Sequence, residues 1–244
     1  MGLVFALLCS DEPSLFIAVA IEDCERLKEK AETMDRIASL VRPIVNKKYF
    51  SFPQAFGGEV VRKALHLLIA LVPLLAGVDV RATMMLLAGG TLFYVFAERM
   101  RVEGCPVFLI SDLTVIASRE QHRGRFVLGP VTLGVGAMLS LLLYPSTAAA
   151  IAIYALAFGD GFASLAGKLF RSPAIPFTRN KTLAGTLACF TAVFLVTWKL
   201  TGRFSIASVI AVSATTLELI PVRDFDNLIL PVGTGFVAAY ILLL

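Results

Sequence analysis

Charge is scarce in this chain: Asp, Glu, Lys and Arg make up 16% of its 244 residues, against about 25% in soluble domains. That shortage excludes an ordinary soluble domain. The four cysteines, Cys9, Cys24, Cys105 and Cys189, lack the paired spacing of a zinc site or disulfide framework. Cys9 and Cys189 sit in apolar runs and read as small packing residues. No P-loop, dinucleotide fingerprint or protein-kinase motif set is present, so any nucleotide must be held by another device. Residues 1–21 are apolar but broken by Ser10, Asp11, Glu12 and Pro13, with no basic residue before them. They fit neither a signal peptide nor a spanning helix.

What is abundant is apolar sequence: 57% of residues are hydrophobic and mean hydropathy is +0.81. From Glu59 onward, runs long enough to cross hydrocarbon recur at 60–77, 80–97, 126–144, 147–169, 182–200, 204–221 and 226–244. Backbone groups in lipid must be bonded within the segment, so the expected fold is all-α, a polytopic bundle of about seven transmembrane helices. Two regions follow, an N-terminal interfacial segment over 1–56 and a transmembrane domain over 57–244. Within the first, Ile21, Cys24, Leu27, Ala31, Met34, Ala38 and Val41 form a helical stripe. An amphipathic helix in the headgroup plane or a packing face both suit that stripe. The loop 100–125 is too short to span and return, which favours a helix at the interface.

Positive charge orients the bundle. Nineteen of the 22 Lys and Arg residues fall on the side of the N-terminus, leaving only Arg81, Lys199 and Arg203 on the other. Such a bias places the N-terminus and the long loops in the cytoplasm.

Four clusters could carry chemistry. The first is Glu59, Arg62, Lys63 and His66, at offsets of three, four and seven on one helical face at the mouth of span one. Interfacial anchoring explains Arg62 and Lys63 equally well, but His66 lies further into the apolar run. The second is Glu98 with Arg99, readable as an interfacial pair, followed by the basic loop residues Arg119, His122, Arg123 and Arg125.

The third cluster is the most informative. Asp160 lies inside the apolar run 147–170 between Gly159 and Gly161. An acid there costs about 2.5–3.5 kcal/mol on insertion scales, so it marks a functional site by default. On a helix Asp160, Ala163, Ser164 and Gly167 share a face, and the two small residues suit either a ligand or a close helix. The flanking glycines suit a helix break as well. Lys168 ends this helix, and Lys181-Thr182 opens the next, so both can face a nucleotide. The fourth cluster is Asp226, Asn227 and Pro231. Asp226 reads either as a helix cap or as a second carboxylate for Mg²⁺, which phosphoryl-transfer sites hold through one or two carboxylates and substrate phosphates.

These residues resemble the membrane lipid kinase family of dolichol kinase, phytol kinase and CTP-dependent diacylglycerol kinase. Its pattern Glu-x-x-Arg-Lys-x-x-His is matched by Glu59, Arg62, Lys63 and His66. Gly-Asp-x-x-Ala-x-x-x-Gly is matched by Gly159, Asp160, Ala163 and Gly167. Lys-[Ser/Thr]-x-Glu-Gly is matched by Lys181, Thr182 and Gly185, and Asp-Asn before Pro by Asp226, Asn227 and Pro231. The resemblance spans about residues 57–244. One departure stands out: Ala184 replaces the family's Glu, so another carboxylate such as Glu218 or Glu98 would have to substitute. The resemblance implies CTP as phosphoryl donor, an isoprenoid or lipid alcohol as acceptor, and kinship with phosphatidate cytidylyltransferases.

The expected activity is therefore transfer of the γ-phosphoryl of CTP to a membrane-embedded alcohol by a multi-pass protein whose active site faces the cytoplasm. Asp160 and Asp226 would ligate Mg²⁺ with Asn227 in support. Lys181, Thr182 and Lys168 would contact triphosphate, with Gly159, Ala163, Gly167 and Gly185 shaping the nucleotide site. Arg62 and Lys63 would neutralise its charge, and Glu59 or His66 would accept the hydroxyl proton. The expected partners are a lipid alcohol, a nucleoside triphosphate and membrane lipids, with homo-oligomerisation left open and no nucleic acid. Phosphatidate cytidylyltransferase and a cation transporter built around Asp160 are the rival readings.

Overall fold

The computed structural model describes residues 62–104, 114, 126–170, 172–176, 178, 181–222 and 225–243. The segment 1–56 with its amphipathic stripe, Glu59, and the loop residues Arg119, His122, Arg123 and Arg125 lie outside these residues. Among the described residues all regular structure is helical, apart from one isolated antiparallel bridge between Ala174 and Thr182.

Among the described residues the longer helical segments are, in order, α1 over 62–78, α2 Val80–Val102, α3 Gly129–Leu143, α4 Ser146–Leu169, α5 Leu183–Thr201, α6 Phe204–Leu219 and α7 Asp226–Leu243. Four of these, α2, α4, α5 and α7, are long and apolar enough to cross a membrane. α3 and α6 are apolar but only 15 and 16 residues long. α1 is interrupted by a tighter 3-10 turn at Ile69–Leu71. Pro73 supplies the reason, because its ring clashes with the carbonyl four residues earlier, that of Ile69, and it has no N–H to donate.

Local chemistry sets the ends. Asp79 caps α2, its Oδ1 accepting from the Arg81 and Ala82 amides at 2.7 and 3.1 Å. α2 runs five residues past its apolar stretch and stops at Gly104, whose φ of 90° is the left-handed conformation that ends a helix. Glu98 and Arg101 permit the extension by satisfying each other on one face.

α4 is the axis of the bundle. Two-thirds of its apolar window is buried, 67% against 11–33% for the other three long helices. Ala148, Ala149, Ala152, Ala155 and Ala157 all face neighbours, and α1, α3, α5, α6 and α7 all touch it. Small side chains let backbones approach closely, which is how helices gain packing energy in lipid. The outer faces carry Met85, Leu86, Leu92, Leu195, Phe236 and Tyr240, each more than half exposed. Apolar exposure on that scale suits contact with hydrocarbon and would drive aggregation in water.

α3 and α7 meet most tightly at Gly136. A Cβ there would collide with the backbone carbonyl of Asn227 and press on Pro231 Cγ at 3.2 Å. Pro231 leaves that same carbonyl without its usual donor four residues on, so the contact is backbone against backbone and cannot relax by a rotamer change. Gly136→Ala should therefore lower stability by about 1–3 kcal/mol, whereas Gly89→Ala, which meets nothing within 4 Å, should be neutral. Thermal unfolding of the protein in lipid nanodiscs checks both.

Candidate functional site

The bundle alternates in direction, so the start of α1, the ends of α2, α4 and α6, and the starts of α3, α5 and α7 collect at one end. Polar groups concentrate there. Asp160 is 9% exposed and forms a buried ion pair with Lys63, which is 3% exposed. His66, one turn further along α1, places Nδ1 3.2 Å from the same Oδ2. Lys63 and His66 share a face of α1, as their spacing requires.

The helix around Asp160 neither breaks nor stays regular. Residues Ala155–Asp160 form a π turn between the α-helical stretches Ser146–Tyr154 and Gly161–Leu169. The extra residue per turn shifts the helical register and brings Asp160 round to α1; such turns are frequent at functional sites. Gly159 lets the widened turn lie against α5, since a Cβ there would meet Val193 Cγ2 at 3.1 Å and Cys189 Sγ at 3.3 Å.

Lys181 reaches the same end from the connector between α4 and α5. The Ile175 amide donates to the Lys181 carbonyl at 2.8 Å and the Leu183 amide donates to the Pro173 carbonyl at 3.2 Å, so the backbone is clamped at Lys181 and again two residues on. Its ammonium group pairs with Glu218 near the end of α6. Lys63 and Lys181 are close enough to act electrostatically on both Asp160 and Asp226, and Asp160 acts on Asp226. Two carboxylates and two ammonium groups thus form one interacting set.

Other expected site residues have structural duties. Thr182 caps α5, its Oγ1 accepting from the Gly185 amide at 3.3 Å. The Ala184 amide donates to Ser172 Oγ at 3.1 Å. With the Leu183 amide also bonded, the first turn of α5 has no N–H left for a phosphate, and an anion here must be met by side chains. Ala163, Gly167 and Gly185 form the α4–α5 crossing: a Cβ on Gly185 would lie 2.6 Å from the Ala163 carbonyl, and one on Gly167 would lie 2.7 Å from Thr182 Oγ1. Lys168 is exposed in the last turn of α4, and Arg62 is half-buried beside Lys63. Asn227 is buried, its Nδ2 donating to the Gly129 carbonyl and to Thr132 Oγ1, both at 3.2 Å. Asp226 is exposed at the start of α7 and accepts from the Asn227 amide at 3.0 Å.

Glu98 does not pair with Arg99. Neighbouring residues on a helix point apart, and Glu98 instead takes two bonds of 2.7 Å from Arg101 and a third of 2.7 Å from the Val127 amide. Arg99 turns outward to Glu103 at 2.5 Å. Of the two carboxylates weighed against Ala184, Glu218 therefore reaches Lys181, whereas Glu98 fastens α2 to the start of α3. Glu218 was legible on the same ground as Asp160, being a lone acid within an apolar run.

At 24–27% identity this chain is similar to phytol kinases. The probable phytol kinase 1, chloroplastic, of Oryza sativa subsp. japonica is 26% identical over 221 residues, covering 79% of this chain and 70% of that protein. The probable phytol kinase, chloroplastic, of Triticum aestivum is 26% identical over 223 residues, covering 80% and 74%. Phytol kinase 1, chloroplastic, of Arabidopsis thaliana is 24% identical over 161 residues, covering 59% and 53%. No protein-family model and no solved structure matches the chain.

Among the described residues no three His, Cys, Asp or Glu side chains converge as a ready-made metal cage. The donor chemistry nevertheless fits Mg²⁺. Among the described residues both ion-pair contacts to Asp160 land on Oδ2, and Asp226 adds an exposed carboxylate at the start of α7, at the same end of the bundle. One or two carboxylates completed by phosphate oxygens is how Mg²⁺ is commonly held.

Breaking a buried ion pair from one side leaves an uncompensated charge and costs about 3–5 kcal/mol. Lys63→Met should destabilise the protein by that order, and adding Asp160→Asn should recover part of the loss. Melting midpoints of the two variants in nanodiscs give the comparison.

Proposed function

We propose that this protein is a lipid-alcohol kinase of the membrane, transferring the γ-phosphoryl of a nucleoside triphosphate, CTP, to the hydroxyl of an embedded isoprenoid alcohol of the phytol class. The observation that carries the reading is the pair of ion pairs, Lys63 with Asp160 and Lys181 with Glu218, set with Asp226 at one end of an otherwise apolar bundle. Similarity to phytol kinases supports the acceptor class. All seven helices cross the bilayer in this reading, with the polar end in the cytoplasm, where the positive charge collects.

Phosphoryl transfer demands mainly positioning and charge stabilisation. Asp160 and Asp226 would hold Mg²⁺, which when bound neutralises triphosphate charge, and the Oδ1 of Asn227 is the atom of that side chain left to support it. Lys63 and His66 fix the Asp160 carboxylate through Oδ2, so Lys63 acts on the nucleotide indirectly. Lys181 meets the triphosphate directly, with Lys168 and Arg62 at the rim. The lipid hydroxyl enters from the apolar side and forms a bond to the γ-phosphorus while the bond to the β–γ bridging oxygen breaks. CDP leaves, and the hydroxyl proton passes to Glu59 or His66. The apolar surroundings exclude water, a competing acceptor.

Purified protein in nanodiscs, supplied with γ-labelled CTP or ATP and a panel of phytol, dolichol, undecaprenol and diacylglycerol, should place label on a lipid, most strongly with CTP and phytol. Asp160→Asn should lower the rate about 10²–10³-fold, the scale of losing one preorganised charge contact. Labelled pyrophosphate instead would indicate cytidylyl transfer, and wild-type turnover in both Asp160→Asn and Asp226→Asn would overturn the assignment of the site.

A further inference from the structure

Glu218 is 7% exposed, near the end of α6. Its Oε1 is paired with Lys181, while Oε2 is buried and makes no hydrogen bond among the described residues. A carboxylate in such a place is costly unless paired, and here Lys181 is the partner that satisfies it. Lys181, on its side, gains a fixed position. A lysine stem is flexible, and its rotamer freedom must be lost before its ammonium group can meet a phosphate. The connector clamps its backbone through Ile175 and Pro173, and Glu218 holds the far end of the side chain. Held at both ends, the ammonium group acts on Asp160 and Asp226 from a set position.

We propose that Glu218 is a positioning residue, which holds Lys181 in place for the triphosphate before the nucleotide arrives. This rests on the kinase reading above. Glu218 touches neither the nucleotide nor the alcohol; it acts through Lys181, and its effect belongs to nucleotide binding. Preorganisation of this kind reduces the ordering entropy that binding must overcome.

The test is a double-mutant cycle on the full chain in nanodiscs, with Glu218→Gln, Lys181→Met and both together. Two properties are read, the melting midpoint and the steady-state KM and kcat with CTP, ATP and phytol. Glu218→Gln should raise the nucleotide KM about tenfold, the scale of one hydrogen bond to a charged group, with the KM for phytol unchanged. Added to Lys181→Met, it should cost no further activity. Lys181→Met alone should melt lower than the double variant, because it leaves Glu218 charged and alone. If Lys181→Met does not fold, recovery of folded protein in the double variant is the same result. Losses that multiply, an unchanged nucleotide KM in Glu218→Gln, or a double variant no more stable than Lys181→Met would overturn the proposal. A wild type that transfers no phosphate from either nucleotide overturns the kinase reading instead, and the melting cycle then judges the Glu218–Lys181 pair by itself.

Discussion

A charge inside an apolar bundle must find its counter-charge within the fold, and that constraint organises one whole end of this molecule. Water is not at hand to solvate Asp160, Glu218 or Glu98, so each is met by a cation: Lys63, Lys181 and Arg101. The three pairs differ in consequence. Glu98 is saturated by Arg101 and the Val127 amide and serves as a fastener. Asp160 takes both of its partners among the described residues on one oxygen. Lys181 remains partly accessible while Glu218 is not, so the positive member is the one presented.

Holding those groups together requires the helices to lie at set depths and rotations, and small residues do this. The alanines of α4 admit five neighbouring helices, Gly136 admits the backbone of α7, and Gly185 admits the Ala163 carbonyl. The π turn at Ala155–Asp160 then redirects a single carboxylate without interrupting the central helix. Rigid packing around a locally irregular turn suits a site that must be polar at one point and dry around it.

Much of the fold was legible in sequence because hydrophobic runs are local. Each expected span has a helix in its place, usually within three residues, and α2 exceeds its run only where Glu98 and Arg101 pair across a turn. Asp160 stood out because an acid in hydrocarbon has few bland explanations. The same logic applied to Glu218, which nonetheless entered only as a replacement for the acid absent at Ala184. Helix packing was one of two readings open for Gly167, but the duties of Thr182 and Gly185 were not legible: a hydroxyl and a glycine beside a lysine suit a phosphate as well as they suit a cap and a helix crossing. Only the bonds that Ser172 Oγ and the Pro173 carbonyl accept from the α5 amides show that its first turn is already filled.

Sequence alone therefore determined where the apolar rods lie along the described chain and, α2 excepted, where each stops to within a few residues, because hydrophobic runs are local. It could not decide which cation meets which carboxylate. Lys63 finds Asp160 across 97 positions and Lys181 finds Glu218 across 37. Such meetings depend on rotations of whole helices about their axes, which follow from packing contacts summed over the entire bundle. Tertiary structure made those choices, because no local rule carries information about the face a distant helix will present.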